Sequence, residues 1–564
     1  MSRWLASLVL LAVVAFFGAF LVWPVAQIVH GGFVDADGHF TLAHLAAVLA
    51  HPLYRAGLFN SLLLACVTTL FAFALGLPLA YCAERFRFPG RAVLTALILV
   101  PLVLPPFVGA IGLRQIFGQY GALNALLTQI GLLAGGNTID WLAHGRFWGV
   151  ALAEALNLYP IIFLNAVAAL ANVDPAMEEA AANLGCTGLR RFRRITLPLI
   201  RPGLFAGGTI VFIWSFTELG VPLVFDYDRV APYQLFALLK EMTGNPAPYA
   251  LVALLLLTSV ALYAVGRGLF GRAGHAMMGR ASTASPARRL AWWRAALVTA
   301  LFAGVLSLAL LPHVGVVLVA SSRDWYATLL PGEFTLENFR LALGHELTVP
   351  SIGNSLRYAA LATLLDLVLG VAIAWVVVRS RLPGRNLLDS LAMLPLAVPG
   401  LVLAFGYLAM TREGRAFAAL DPVENPTLLL VIAYGVRRLP YVVRAAVAGL
   451  QQTPVALEEA AQNLGATAWR ALRRITLPLI AANLVAGGLL AFAFAMLEVS
   501  DSIILAQKPA FFPITKAIYE LYQLLGDGRY LASALGTWAM AFLALTIAAL
   551  GVLLGRKAGT LFRG

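Results

Sequence analysis

"EEAAANLGCTGLRRFRRITLPLI" runs from Glu178 to Ile200, and "EEAAQNLGATAWRALRRITLPLI", from Glu458 to Ile480, repeats it with 17 of 23 residues identical. Each copy is a charged island in a strongly apolar chain. Of the 564 residues 61% are hydrophobic and only 12% charged, which leaves too little polar surface to cover a soluble globule of that size. A helix needs ~20 mostly apolar residues to cross ~30 Å of hydrocarbon. About twelve such windows are present, centred on 4–23, 56–81, 93–115, 147–171, 203–225 and 248–267, then 291–320, 355–378, 387–410, 427–450, 483–505 and 533–555. The expected fold class is an all-α integral membrane protein.

The duplication extends beyond the loop. Asn60-Ser61 matches Asn354-Ser355, Gly76 matches Gly370, Pro89-Gly90-Arg91 matches Pro383-Gly384-Arg385, and Pro101 and Pro105 match Pro395 and Pro399, all at an offset of 294. From Pro160 and Pro440 onward the offset is 280. The first half therefore carries an insertion in the loop around "GQYGALNALLTQIGLLAGGNTIDWLAHGR", where insertions are tolerated. Six spans separate the two loop copies, so both face the same side of the membrane. That makes a parallel repeat about an axis along the membrane normal, an arrangement suited to a pathway between halves. The expected division is residues 1–270, a cytoplasmic linker at 271–290 rich in Gly, Ser, Ala and Arg, and residues 291–564.

A net charge of +13 would suggest nucleic acid in a soluble protein, but here it first sets topology. With the N-terminus in the cytoplasm, Arg3, Arg85, Arg87, Arg91, both repeated loops, the linker and the tail Arg556, Lys557 and Arg563 are inside. Most of the basic residues then lie on that side, as positive-inside topology asks, and the C-terminus is cytoplasmic too. The apolar run after Arg3 is long and no small-x-small site follows it, so it reads as an uncleaved first helix. Cys66, Cys82 and Cys186 show neither CxxC spacing nor an even count, and the eight histidines are scattered, so no disulfide framework or metal centre is expected.

Within each loop, Asp174-Pro175 and Thr453-Pro454 put a capping side chain before a proline at the first helical position. Glu178-Glu179 and Glu458-Glu459 follow within a turn, where acids suit the helix dipole. Gly185 and Gly465 allow a turn, and Arg190, Arg193 and Arg194, or Arg470, Arg473 and Arg474, open a second basic helix. The small face of Ala180, Ala181 and Ala182 suits close contact with a partner. Amphipathic loops at the lipid headgroups would also carry arginines, but topology alone needs only charge, not 17 identities.

The pattern Glu-Ala-Ala, three residues, Gly, nine residues, Ile-x-Leu-Pro occurs at Glu179-Ala180-Ala181, Gly185 and Ile195-Thr196-Leu197-Pro198, and again at Glu459-Ala460-Ala461, Gly465 and Ile475-Thr476-Leu477-Pro478. This resembles the EAA loop of the permease subunits of bacterial binding-protein-dependent ATP-binding-cassette (ABC) importers, and the resemblance covers nearly the whole chain as two fused permease domains. It implies the type I importer fold, residence in the bacterial inner (plasma) membrane, a lipid environment and a transport role rather than an enzymatic one. It also implies two copies of a cassette ATPase as partners, a periplasmic or lipid-anchored substrate-binding protein, and no nucleic acid. By the same resemblance Glu178, Glu179, Ala180 and Gly185, with Glu458, Glu459, Ala460 and Gly465, form the coupling helices that seat in the ATPase. No cofactor is expected in this chain, and ATP and Mg belong to the partner. The residues agree, because none of the four lysines, Lys240, Lys508, Lys516 and Lys557, lies in a phosphate-binding Gly-Lys-Ser/Thr turn.

Ionisable groups inside spans are costly and point to function. Glu218 and Glu498 are equivalent at the 280 offset, and Asp501 lies one helical turn beyond Glu498. Across the axis they would line a passage for a cation; the structural alternative is that each pairs with an arginine or caps a broken helix. Asp366 and Glu154 lack counterparts and read as local structure. "FDYD" at Phe225–Asp228 would suit a hard metal ion in transit, or is a solvated loop. Pro105-Pro106 and Pro399-Gly400 are placed to break spans three and nine, or to kink them as scaffold. The fused double permease with paired glutamates resembles ferric-iron importers more than the thiamine, phosphonate, polyamine or sulfate members, although Arg437-Arg438 keeps an anion open. A rival of another class, a secondary transporter driven by an ion gradient, gives no reason to repeat a helix-turn-helix knob. A membrane-embedded enzyme lacks a usable metal or nucleophile constellation.

Overall fold

A computed structural model describes residues 3–35, 37–134, 137–142, 146–239, 244–270, 288–396 and 398–554. Most of the expected linker and the tail arginines lie outside the described residues. Eight helices among them are long and apolar enough to cross a membrane: Ala6–Phe33, Pro52–Arg85, Arg146–Ala171, Gly188–Val224, Ala247–Gly266, Trp292–Ala320, Thr348–Arg379 and Ala468–Met496. Two bent pairs, Arg91–Leu102 with Pro106–Gln129 and Arg385–Leu396 with Gly400–Met410, raise the number to ten if each is one span. Thr427–Gln452 (26 residues) and Gly528–Leu554 (27 residues) have span length as well. Arg437, Arg438 and Arg444 lower the hydropathy of the former. Numbered in chain order, these elements occupy the twelve windows read from the sequence.

The bends of 98° and 99° in spans three and nine fall at Pro105-Pro106 and Pro399-Gly400. A proline supplies no N–H to the helix ladder and disfavours helix before it, which makes a break possible, and here the chain turns through nearly a right angle. Spans five and eleven are also interrupted. The helix Leu197–Phe216 gives way to the short helix Gly220–Val224, and Leu477–Met496 to Ser500–Leu505. Both interruptions lie beside the bends, around a common centre.

The sequence repeats are not separate lobes. Span one packs on the second half: Val13, Phe17, Leu21 and Ile28 share a core with Leu401–Met410 and with residues of span ten. The Tyr407 hydroxyl donates to the Phe20 carbonyl at 2.8 Å, and a Cβ on Gly406 would lie 2.8 Å from the Pro24 carbonyl. Span seven mirrors this on the first half, where Phe302, Leu306 and Ala309 join Ala72, Leu79 and Leu156. Gly112, at the position equivalent to Gly406, lies against Pro312 and Gly315. Lipid is as apolar as a leucine side chain, so contacts within the bilayer depend on small residues that let backbones approach, and these glycines supply them. Phe86–Arg87, at the end of span two, pairs in parallel with Arg288–Arg289, which lead into span seven.

Candidate functional site

A cavity of about 120 Å3 lies where the two bent spans and the two interrupted spans meet. Its lining includes Pro105, Pro106, Glu154, Asn157 and Glu218 from the first half, and Pro399, Gly400, Arg437, Arg438 and Glu498 from the second. A water needs about 10–15 Å3 of such space, so the cavity has room for a small hydrated solute. Trp214 and its equivalent Phe494 meet edge to face, 6.5 Å between centroids, and both line it. Contact between equivalent residues places the cavity on the pseudo-twofold axis.

Glu218 and Glu498 thus share one cavity but have different partners. Glu218 accepts the backbone N–H groups of Gly220 at 3.0 Å and Val221 at 3.3 Å, capping the short helix that follows. Glu498 is held by two arginines, one oxygen by Arg437 and the other by Arg438. Asp501, fully buried, stands behind it with Oδ2 3.4 Å from Arg437, and is absent from the lining. Both structural alternatives raised by the sequence are therefore realised, one on each wall.

The asymmetry follows from two substitutions between the repeats. Asn157 occupies the position equivalent to Arg437, and Leu158 that of Arg438. The Asn157 amide donates to the carbonyls of Pro101 at 2.7 Å and Leu104 at 3.2 Å, satisfying groups freed by the bend in span three. Arg437 is longer, and its guanidinium fills the space where a Cβ on Gly400 would sit. Position 106, equivalent to 400, holds proline, and the shorter Asn157 stands where the second half has Arg437.

Glu154, read from the sequence as local structure, lines the cavity, whereas Asp366 does not. Glu154 is buried and lines the cavity; its Oε2 accepts the hydroxyls of Thr68 at 3.3 Å and of Ser215, while Oε1 has no hydrogen-bond partner among the described residues. Asp366 is wholly buried, with neither oxygen hydrogen-bonded among them, and lies within electrostatic reach of Arg438. The sequence signal was only a carboxylate within a span. In "FDYD", Asp226 pairs with Arg114 at 3.1 Å and Tyr227 is buried, which gives a tied loop rather than an open ligand set. Asp35, Asp37 and His39 bring potential ligand atoms within 4.8 Å in another loop, but Asp35 already accepts the backbone N–H groups of Asp37 and His39.

The second candidate site is the pair of repeated loops. Pro175–Asn183 is a helix whose first N–H groups are capped by Asp174, which accepts from Ala176 at 2.9 Å. Thr453 does not cap its helix, contrary to the expectation. The N-cap of Val455–Asn463 is Pro454, and the Thr453 hydroxyl turns back to the Gly449 carbonyl at 3.0 Å. Gly185 and Gly465 close the helices at φ +79° and +88°, and their N–H groups bond to Ala182 and Gln462, each at 2.9 Å. This left-handed end favours glycine. The alanine face is not wholly free: Ala180 is exposed and Ala181 buried. Leu184 and Leu464 protrude instead, 89% and 90% exposed, flanked by exposed Leu189 and Trp469. Glu179, Glu459 and Ala460 are exposed as well, whereas Glu178 is buried and Glu458 nearly so.

A family profile described as "Binding-protein-dependent transport system inner membrane component" matches the chain twice, over residues 72–273 and 366–558. The ferric transport system permease protein of Actinobacillus pleuropneumoniae is 28% identical over 516 residues, 88% of this chain and 71% of that one. A Haemophilus influenzae chain named for the same kind of permease is 28% identical over 525 residues, covering 89% and 78%. The sulfate transport system permease protein of Salmonella typhimurium is 31% identical over 237 residues, 41% of this chain and 82% of its own length.

Proposed function

The chain belongs to the family of inner membrane components of binding-protein-dependent transport systems, and from that membership we propose that it passes a cation, ferric iron, through the cavity on its axis. It is a multi-pass permease of the ABC importer class. The observation that carries the substrate is the excess of acid at the centre. Glu154, Glu218 and Glu498 line the cavity, with Asp501 behind, 3.4 Å from Arg437, against Arg437 and Arg438 as the only basic residues among the described lining. Carboxylate oxygens are hard ligands suited to a hard ion. Both arginines are already bound to Glu498, so the free acid lies on the first-half wall. Two relatives that span most of the chain, from Haemophilus influenzae and Actinobacillus pleuropneumoniae, are named for ferric transport and support the same ion.

In this reading a periplasmic binding protein delivers the ion, and two copies of a cassette ATPase receive Leu184 and Leu464, with Glu179 and Glu459 beside them. ATP and Mg stay on that partner. Both loops and both termini are cytoplasmic. Closure of the ATPase pair draws the loops together and alternates access to the cavity. A second reading, an oxyanion such as sulfate, is favoured by Arg437 and Arg438 in the lining and by the sulfate relative.

The test is reconstitution into liposomes with the cognate ATPase and binding protein. ATP-dependent uptake of radioactive ferric iron, without uptake of labelled sulfate, is expected. Sulfate uptake without iron uptake would overturn the cation reading while leaving the permease intact.

A further inference from the structure

Each repeated loop is pinned to a span it does not adjoin in sequence. Arg85, the last residue of the helix Pro52–Arg85, places Nη2 3.0 Å from Oε1 of Glu178, and the Thr196 hydroxyl donates to the same oxygen at 2.7 Å. The second copy repeats this. Arg379, the last residue of Thr348–Arg379, places Nε 3.1 Å from Oε1 of Glu458, and Thr476 donates to that oxygen at 3.1 Å. Arg379 also donates to the Thr453 carbonyl at 2.8 Å. The arginine and glutamate side chains are 7–13% exposed, so these are buried pairs rather than surface ones.

The local backbone is shaped for this contact. Pro198 and Pro478 offer no N–H to the preceding turn, and the chain runs as a π-helix over Phe192–Thr196 and Leu472–Thr476. That wider turn presents Thr196 and Thr476 to the glutamates. The spans that hold the arginines then bear directly on the cavity wall. A Cβ on Gly76 would come 2.8 Å from the Tyr159 carbonyl in span four, and one on Gly370 2.7 Å from Val442 in span ten. Spans four and ten carry Glu154 with Asn157, and Arg437 with Arg438.

We propose that the Arg85–Glu178 and Arg379–Glu458 pairs are latches that make each loop move as one body with spans two and eight, and so carry a push on the loop to the cavity wall. Glu178 and Glu458 are then positioning residues that face inward, while Glu179, Glu459 and the leucines face the partner. Without the latch the helix Pro175–Asn183 or Val455–Asn463 would lose its ion pair to the span, leaving looser apolar contacts such as Tyr81 on Phe192 to carry the push. The inference rests on the permease reading above.

The test uses the full complex with its ATPase, in a chain where Cys66, Cys82 and Cys186 are serine and Ser500→Cys reports from the cavity. In the parent, ATP with orthovanadate is expected to change the rate of thiol labelling by about tenfold, a usual size for coupled sites. Arg85→Gln with Arg379→Gln should keep the ATPase bound and hydrolysing, yet abolish that change. The exchange of partners, Arg85→Glu with Glu178→Arg and Arg379→Glu with Glu458→Arg, should restore it. Labelling that responds to nucleotide as in the parent would overturn the latch. So would an unlatched chain that loses its ATPase and is not rescued by the exchange, because the pairs would then only build the fold. A parent that binds no ATPase would instead sink the permease reading.

Discussion

The two loops and the two walls of the cavity are products of the same duplication, yet the loops stayed alike and the walls did not. Glu178 and Glu458 meet equivalent arginines and threonines, Gly185 and Gly465 share one conformation, and Leu184 and Leu464 protrude equally. On the walls, Glu218 caps a helix opposite Asn157, while Glu498 is locked between Arg437 and Arg438. On the proposed function, two equal motor subunits would require two equal seats. A solute passing along the axis, as proposed, would meet both walls at once, and nothing would require those to match.

The comparison is tested most severely by removing charge from each wall. Glu498→Gln leaves Arg437 and Arg438 buried with less compensation and should lower stability by about 3–5 kcal/mol. Glu218→Gln gives up only hydrogen bonds to backbone and should cost about 1 kcal/mol. Unfolding in mixed detergent micelles measures both, and equal losses would erase the distinction between walls. Next in size, Gly400→Ala should cost about 1–3 kcal/mol by overpacking against Arg437. Arg437→Asn, which copies the first half, should relieve that cost, and a double-mutant cycle with no coupling would show that the Gly400/Arg437 packing is not one unit.

The loops should respond alike. Gly185→Ala and Gly465→Ala each force a side chain into the left-handed region, at about 1–2 kcal/mol, with nothing within 4 Å of the new Cβ to add a clash. Their effects on thermal unfolding should agree, and a large difference would mean the loops are not equivalent. The smallest expected effect marks a local departure between them. Asp174→Ala should cost about 1 kcal/mol as a lost cap, whereas Thr453→Ala loses no cap and should change helix stability by less.

Much of this was legible in residues alone. The duplication, the spans and the equivalence of Glu218 with Glu498 follow from identity and hydropathy, while proline chemistry marks Pro105 and Pro399 as sites of either a break or a kink, and only the structure decides for a turn. The crossing of spans one and seven onto opposite halves was not, because a helix facing lipid on one side and apolar neighbours on the other shows no amphipathic pattern. Glu154 looked local since its equivalent, Tyr434, is no acid. Arg437 and Arg438 were visible as charges, but that both are spent on Glu498 depends on distances no spacing reveals. Asp174 and Thr453 carry the same capping signature, and only the backbone before Pro454 decides that the threonine turns away.

ATP-driven uptake of ferric iron by proteoliposomes that hold the complete transporter, compared between the native chain and one with Glu154→Gln and Glu218→Gln, addresses the acid wall itself. The expected result is a loss of uptake with the ATPase still bound and active. Uptake at the native rate would contradict the claim that the first-half wall carries the ion.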